Sequence, residues 1–263
     1  MAIELAVIIP SYNEKANVGP LLEKLRAALA GIEWEVIYVD DNSPDGTAER
    51  VWEEARLDPR VRCLKRVGRR GLSSACIEGM LSTSAPFLAV MDADLQHDEA
   101  ILPAMLSAIK SQGLDIVVGS RYVEGGGVKD WSAQRVAASQ GATRFARALT
   151  GVQVLDPMSG YFMLRREFLQ HCVHLLNGKG FKILLDLLMS APGPVKFREI
   201  PYTFRLRQHG ESKLTAKVVL DYFLLVLDKT CRRAPWVRWL LALLLVLAVA
   251  AILLGISRTC SLP

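Results

Sequence analysis

Two aspartates and a glutamine that follow an apolar run have the spacing that points most directly to chemistry. Asp92, Asp94 and Gln96 alternate directly after the run Phe87–Met91. Side chains two residues apart point to the same side of an extended segment, so we expect these three to face one point. Carboxylate and amide oxygens suit Mg²⁺ or Mn²⁺, which usually bind together with substrate phosphates. The spacing therefore predicts a metal site for a diphosphate, although a lone D-x-D is common in loops.

Short apolar runs that alternate with longer amphipathic stretches must position these residues. The runs predicted as strands are Leu5–Ile9, Glu35–Val39, Val61–Leu64, Phe87–Met91 and Asp115–Val118. Helical periodicity lies between them, over Val18–Leu29, Thr47–Arg56, Leu72–Leu81 and Glu99–Lys110. This alternation predicts an α/β domain with a mostly parallel sheet, in which ligands bind outside the carboxyl ends of the strands.

Polar segments follow four of the predicted strands. They read PSYNE after the first, DDNSPDG after the second, DADLQHD after the fourth and GSRY after the fifth. Each could be a simple turn, because these residue types favour turns. Four of them at one edge of a sheet indicate a binding site instead. The chain contains no GxGxxG or GxxxxGK[ST] pattern. The glycine-rich stretch Gly125–Trp131 is predicted to be a mobile loop, and Val195–Pro201 a further strand.

Composition narrows the class of protein. The chain has 263 residues, 51% of them apolar, and a formal charge of +5 with acidic and basic residues interleaved. This pattern favours anionic substrates or lipid headgroups over nucleic acid. Five scattered cysteines predict no disulfide framework and fit a reducing compartment. His171, Cys172 and His174 are interpreted as ordinary helix residues rather than metal ligands.

A charge-free stretch near the C-terminus, Trp239–Ile256, is predicted to cross a membrane as a helix. A buried helix of a globular domain is the alternative. Arg232, Arg233 and Arg238 precede the stretch and Arg258 follows it. By the positive-inside rule, the large N-terminal domain is expected on the cytoplasmic face of the membrane.

Three regions are predicted along the chain. Residues 1–214 form the catalytic domain, 215–233 an amphipathic interfacial helix and linker, and 234–263 the C-terminal transmembrane anchor. Within the second region, Ala216–Lys229 has the pattern of a helix at the membrane surface, and a helix facing the domain core fits nearly as well.

Taken together, the motifs resemble a known family of enzymes. From about Ala6 to Leu214 the order VIIPSYNE, VDDNSPDGT, GLSSA, MDADLQHD, GSRY, a GG…W…R loop, DPMSGYF, GFKIL and HGESKL is similar to that of the family-2 glycosyltransferases. Within that family it is similar to dolichol-phosphate mannose synthases and their bacterial polyprenyl-phosphate relatives. The resemblance implies a GT-A (Rossmann-like) fold that binds a nucleotide sugar, here with a C-terminal transmembrane helix.

The resemblance also implies roles for individual residues of the donor site. The nucleoside would be held by Pro10, Tyr12, Glu14, Val39 and Asp41. The diphosphate, the sugar and the Mg²⁺ or Mn²⁺ ion would be held by Asp92, Ala93, Asp94 and Gln96, with Asp92, Asp94 and Gln96 contacting the metal. Lys182 and Arg207 would complete the donor pocket.

The implied acceptor is a dolichyl or polyprenyl phosphate. Its second pKa of about 6 leaves it mostly ionised at neutral pH, so it needs no general base. It needs cations for alignment, and Arg121, Arg135 and Lys213 are the candidates. The residues expected to act in catalysis are these three and Asp94. The expected reaction is an inverting, metal-dependent transfer of mannose from GDP-mannose.

The sequence leaves two alternative functions open. It also leaves open whether the chain forms a homo-oligomer. Transfer of glucose or another hexose from a UDP-sugar to undecaprenyl phosphate would use similar motifs. A catalytically silent tethering subunit would keep the same fold for partner binding. A processive polysaccharide synthase is disfavoured because the chain contains no QxxRW motif.

Overall fold

The computed structural model describes residues 2–129, 140–141, 143–144, 147–148, 151–205 and 224–231. The strands within these ranges are β1 (Leu5–Ser11), β2 (Trp34–Asp40), β3 (Val61–Lys65), β4 (Phe87–Val90), β5 (Ile116–Ser120), β6 (Gly127–Val128), β7 (Phe162–Arg165), β8 (Phe197–Pro201) and β9 (Thr203–Phe204). The α-helices are α1 (Lys15–Ala28), α2 (Thr47–Leu57), α3 (Leu72–Leu81), α4 (Leu102–Ser111), α5 (Arg166–Cys172) and α6 (Ile183–Ser190).

A seven-stranded sheet in the order β3-β2-β1-β4-β7-β5-β8 forms the centre of the domain. Its strands pair in parallel except β7, which is antiparallel to both β4 and β5. Successive side chains of β1 enter the two opposite core layers, because side chains alternate across a strand. Leu5 and Val7 pack with α1, α2 and α4, while Ala6 and Ile8 pack with α3, α5 and α6. Both faces of the sheet are therefore covered.

The predicted α/β domain with a mostly parallel sheet is confirmed, including all five N-terminal strands and the four helices between them. The helix predicted from Glu99 begins with the 3₁₀ turn Glu99–Ile101 before α4. Strand β7 was not predicted. It has only four residues, and it forms by pairing with β4 and β5, which are distant in sequence.

Residues 125–129 of the glycine-rich stretch predicted as a mobile loop are described by the structure, and they include a short strand. Gly127–Val128 pairs in parallel with Thr203–Phe204 to form a separate two-stranded sheet. At Gly126, a Cβ atom would lie 2.7 Å from the Ser120 carbonyl oxygen. The chain folds back on itself so closely that only glycine fits there.

The described part of the C-terminal region, residues 224–231, is helical and packs on the domain. Val226 contacts Leu185 and Met189 of α6. Lys229 Nζ lies 2.5 Å from Asp186 Oδ1, and both side chains are almost fully buried. The same ammonium group donates to the Leu175 carbonyl and to Ser190 Oγ, each at 2.6 Å. All three of its protons therefore have acceptors.

The other predictions for the C-terminal region concern residues outside the described ranges. These are the predicted span Trp239–Ile256 and the domain boundaries at 214/215 and 233/234, which stay predictions. Among the helices that the structure does describe, none has the length and apolar character needed to cross a bilayer.

The buried pair predicts a large loss of stability for Lys229→Met, about 3–5 kcal/mol, because the Asp186 carboxylate would stay buried without its cation. Urea unfolding of the full chain in detergent measures the change. Adding Asp186→Asn to Lys229→Met removes the unpaired charge and keeps an acceptor for the Asn177 N–H, which donates to Asp186 at 2.8 Å. The double variant should regain most of the loss, and equal stability of the single and double variants would contradict this account.

Candidate active site

The loops after β1 and β2 are bound to each other by side chains of the second loop. The Asp40 carboxylate accepts from the Ser43 N–H at 2.9 Å and from its hydroxyl at 2.5 Å. Ser43 Oγ in turn accepts from the Asn13 N–H at 2.9 Å, and Thr47 Oγ1 accepts from the Glu14 N–H at 2.9 Å. Asp40 is completely buried. These bonds fix the two polar loops as one surface.

The predicted nucleoside-binding residues meet on this surface. Pro10 and Val39 are direct partners in the β1–β2 register. Tyr12 and Glu14 follow β1, and the Asp41 N–H donates to the Ser11 carbonyl at 3.0 Å. The Val39 side chain is buried in the core, so only its main chain can face a ligand.

Asp41 shapes a neighbouring loop, a role the sequence did not indicate. Its carboxylate pairs with the fully buried guanidinium of Arg66, whose Nε donates at 2.7 Å, and accepts from the Gly71 N–H at 2.7 Å. These contacts position the 66–71 loop, in which the Arg70 guanidinium carbon lies 4.5 Å from the centre of the Tyr12 ring. Asp41, which is predicted to bind the nucleoside, thus also positions the loop that carries Arg70 beside Tyr12.

The Asp92–Gln96 segment reaches its site by a turn. The predicted extended geometry is wrong, because β4 ends at Val90 and Leu95 adopts a left-handed conformation with φ of 64°. The Gln96 N–H donates to Asp94 Oδ1 at 3.2 Å, which closes the turn. Ala93 is buried in the core, so its main chain alone is available to substrate.

The three predicted metal-binding side chains differ in exposure. The Asp92 side chain is 33% exposed, whereas the residues Asp94 and Gln96 are buried. Gln96 Nε2 donates to the Arg205 carbonyl at 2.9 Å, which leaves the amide oxygen as the atom that could bind a metal. Within the described part of the chain, no three His, Cys, Asp or Glu side chains surround a common point. Two carboxylates and an amide oxygen nevertheless suit a hard divalent cation that takes its other ligands from water and diphosphate.

Arg121, a predicted acceptor-binding residue, is held in one orientation by Asp156 of the DPMSGYF segment. Its Nε and Nη2 donate to the two carboxylate oxygens at 2.7 and 2.8 Å, and its main-chain N–H donates at 3.2 Å. Burial opposes the charged form of Arg121, but these hydrogen bonds outweigh burial and raise its pKa. Asp156 is fully buried, and its N–H donates to Glu199 at 3.0 Å. The guanidinium is thus a fixed positive charge.

Lys182 lies at the N-terminus of α6, directly before Ile183. Burial lowers its pKa, the positive charge of Arg121 lowers it further, and Asp156 and Asp92 act in the opposite direction. Its position immediately before α6 is the placement that the structure shows for this predicted donor-pocket residue.

Three predicted residues, Arg135, Arg207 and Lys213, lie outside the described residues. The described chain before Arg207 ends at Arg205, which is firmly attached to the site. Its side chain donates to Glu99 at 2.7 Å and to Asp98 at 2.6 Å, and its N–H donates to the Gln96 carbonyl at 2.9 Å. Arg205, two residues before Arg207, therefore lies beside the Asp92–Gln96 turn.

Three residues at the site, Asp156, Arg66 and His97, were not predicted as site residues. Asp156 lies in the DPMSGYF motif and His97 in the MDADLQHD motif, so the motif itself was the available signal. His97 is buried beside the Asp92–Gln96 turn, and burial lowers its pKa to about 4; the negative charge of Asp94 raises this pKa, whereas the positive charge of Arg121 lowers it further. Its imidazole is neutral at physiological pH.

Comparison with known proteins places this geometry in a family. Residues 6–173 match the description "Glycosyl transferase family 2". The chain belongs to this family. It is 42% identical over 222 residues to a dolichol-phosphate mannosyltransferase of Pyrococcus furiosus, covering 84% of this chain and 62% of that protein. It is 40% identical over 231 residues to the dolichol-phosphate mannosyltransferase of Saccharomyces cerevisiae, covering 84% and 85%. This member of glycosyl transferase family 2 is therefore a glycosyltransferase.

A more distant bacterial relative and solved structures agree with the family. A polyprenol monophosphomannose synthase of Mycolicibacterium smegmatis is 34% identical over 221 residues, covering 82% of each chain. The crystal structure of glucosyl-3-phosphoglycerate synthase from Mycobacterium tuberculosis with Mn²⁺, UDP-glucose and phosphoglyceric acid superposes with a TM-score of 0.68 at 17% identity. It covers 87% of this chain and 80% of its own. At that identity the likeness establishes the GT-A fold alone, which confirms the fold inferred from the motifs.

The tight turn after β5 predicts opposite results for two adjacent glycines. A Cβ at Gly126 would lie 2.7 Å from the Ser120 carbonyl oxygen and 3.0 Å from the Arg121 carbonyl carbon, whereas a Cβ at Gly127 would meet nothing within 4 Å. Gly126→Ala should displace the main chain that carries Arg121 and reduce sugar transfer on the order of 10-fold to 100-fold.

The matched control is Gly127→Ala, which should keep nearly full activity. Initial rates and thermal stability of both variants measure the difference. If the two variants are equally active, the close contact at Gly126 does not position Arg121.

Proposed function

We propose that this glycosyltransferase transfers mannose from GDP-mannose to a dolichyl or polyprenyl phosphate, with inversion at the anomeric carbon and with Mg²⁺ or Mn²⁺ bound. The names of the three relatives support this acceptor and this sugar. The observation that carries the proposal is that one segment connects the acidic turn Asp92–Gln96 to a fixed cation. Gly160 lies against the Asp92 carboxylate, and Asp156, four residues earlier, pairs with Arg121. Such a site can hold a donor diphosphate beside an acceptor phosphate.

The acidic turn and the β1–β2 surface hold the donor. Asp92, Asp94 and the Gln96 amide oxygen would contact the divalent ion, and the nucleoside lies against Tyr12. When bound, the ion neutralises the diphosphate and stabilises it as a leaving group. Lys182 adds a positive charge near the same phosphates. Mn²⁺ and Mg²⁺ are both present in solved structures of the glucosyl-3-phosphoglycerate synthase, which supports a divalent ion here.

Arg121 aligns the acceptor. The bidentate contact with Asp156 fixes its plane, so its charge is positioned before substrate binds. The acceptor phosphate is already ionised, and one of its oxygens attacks the anomeric carbon as the bond to the diphosphate breaks. Arg135 and Lys213 are proposed to complete this cationic site. No side chain has to remove a proton.

The proposed acceptor is a lipid, so the active site must work beside a membrane. The charge-free stretch Trp239–Ile256 is proposed to anchor the chain, with the catalytic domain on the cytoplasmic face. Insertion and protease-protection assays with the full chain in vesicles test that arrangement.

Transfer of labelled sugar to a short polyprenyl phosphate, in detergent with Mg²⁺ or Mn²⁺, tests the proposed reaction directly. Label from GDP-mannose but not from UDP-glucose is the expected result. Label from UDP-glucose alone would replace the proposal with the glucosyl alternative. Label from neither donor, with no metal-dependent nucleotide binding, would favour the silent tethering subunit.

Asp94→Asn should reduce transfer at least 100-fold, since it removes a carboxylate from the buried turn. Glu53→Gln is the control, because Glu53 lies on the exposed side of α2 with 60% of its side chain accessible. Initial rates of the two variants under identical metal concentrations provide the comparison. Full activity of the Asp94 variant would remove the metal-binding role of this residue.

The lowered pKa of Lys182 predicts how donor affinity depends on pH. Its ordinary value is 10.5, and a lower value means that the ammonium loses its proton earlier as pH rises. The KM for GDP-mannose should therefore begin to increase at a pH below 10.5, and Lys182→Arg should flatten this rise because arginine stays charged.

Lys179→Arg is the matched control for the pH experiment, because Lys179 is exposed. It should leave the wild-type pH profile unchanged. A Lys182→Arg enzyme whose KM rises with pH like that of the wild type would show that another group titrates.

A further inference from the structure

A buried histidine contacts two parts of Asp92. The Asp92 N–H donates to His97 Nδ1 at 3.0 Å. The other ring nitrogen, Nε2, lies 3.8 Å from Asp92 Oδ2. Because Nδ1 accepts a hydrogen bond, the neutral ring carries its proton on Nε2, the nitrogen that faces the carboxylate. The imidazole thus constrains both the main chain and the side chain of Asp92.

The ring itself is held by residues of the DPMSGYF segment and its surroundings. His97 stacks on Tyr161 with ring centres 5.0 Å apart and an angle of 15° between planes. Tyr202 and Phe204 meet it edge-on at 5.7 and 5.6 Å. The Tyr161 hydroxyl donates to the Asp98 carbonyl at 2.9 Å. With only 2% of its side chain exposed, His97 has little freedom to rotate.

Gly160 lies against both the Asp92 carboxylate and the imidazole. A Cβ at this position would lie 3.2 Å from Asp92 Oδ2 and 3.4 Å from His97 Cε1. A residue with a side chain here would therefore crowd both groups, while 33% of the Asp92 side chain stays exposed.

We propose that His97 is a positioning residue that presents the Asp92 carboxylate to the divalent metal, acting mainly through the Nδ1 acceptor. This inference rests on the metal-dependent reaction proposed above. Partners that orient metal-binding carboxylates typically change metal affinity 10-fold to 100-fold when they are replaced. His97 would then set how tightly the donor complex holds its metal, without itself touching metal or substrate.

Two substitutions separate the hydrogen bond from the ring. His97→Phe keeps an aromatic ring against Tyr161 but has no acceptor for the Asp92 N–H. His97→Asn loses the ring, and its side-chain oxygen can take the place of Nδ1. Metal affinity should follow the acceptor, whereas thermal stability should follow the ring, because aromatic contacts and burial dominate the stability of this cluster.

Titration of the full chain with Mn²⁺ in the presence of GDP, followed by the electron paramagnetic resonance signal of free Mn²⁺, measures the affinity. His97→Phe should weaken Mn²⁺ binding about 10-fold to 100-fold, and His97→Asn should stay within about 3-fold of the wild type. In transfer assays, the Phe variant should regain most of its kcat at saturating Mn²⁺. His174→Phe, at an exposed histidine, is the control and should bind Mn²⁺ as the wild type does.

The inference would be overturned if the His97→Phe variant bound Mn²⁺ as tightly as the wild type does. It would also be overturned if the His97→Asn variant bound Mn²⁺ as weakly as the His97→Phe variant. If the Phe variant does not fold, His97→Gln replaces it, because its longer side chain carries the acceptor away from Nδ1. If the His97→Gln variant then bound Mn²⁺ as tightly as the His97→Asn variant, the inference would be overturned. A wild-type chain that transfers mannose but binds no Mn²⁺ with GDP would overturn it too, while leaving the donor and acceptor assignments intact.

Discussion

The antiparallel pairing of β7 between β4 and β5 is the constraint on which the rest of the site depends. Phe162 is the register partner of both Val90 and Val118, so it lies directly between them. Strands β4 and β5 end at the edge where β7 begins, because β7 runs in the opposite direction. The chain leading into β7 therefore lies between the Asp92 turn and Arg121. An ordinary parallel strand at this position would begin at the opposite edge.

In this arrangement one short segment contacts two charged groups of opposite sign. Asp156 pairs with Arg121, and four residues later Gly160 packs against the Asp92 carboxylate. A buried ion pair gains little net stability, since desolvation of both charges offsets most of their attraction. Its value here is geometric, because a paired guanidinium is held in one plane. The Arg121 guanidinium thereby keeps one orientation.

The parts of the fold that follow from local pattern could be predicted from the sequence. Strands β1 to β5 are apolar runs, and their polar ends mark the binding edge. The turn at Leu95 could not be read in this way, because a leucine with positive φ is maintained by packing and by the Asp94 contact. Strand β7 likewise depends on partners far away in sequence. The family resemblance supplied the residues Tyr12, Lys182 and Arg121, whereas their supporting partners became visible only in three dimensions.

Contacts between residues far apart in the sequence also connect the site to the C-terminal region. Helix α6 begins next to Lys182 and carries Asp186 one turn later, and Asp186 pairs with Lys229. The last described residue of the C-terminal helix is Cys231, and the proposed membrane segment begins at Trp239. Helix α6 thus has Lys182, a predicted donor-pocket residue, at one end and the attachment of the C-terminal helix along its length. Because the attachment is a buried ion pair with three satisfied donors, the C-terminal helix cannot rotate on the domain without breaking it.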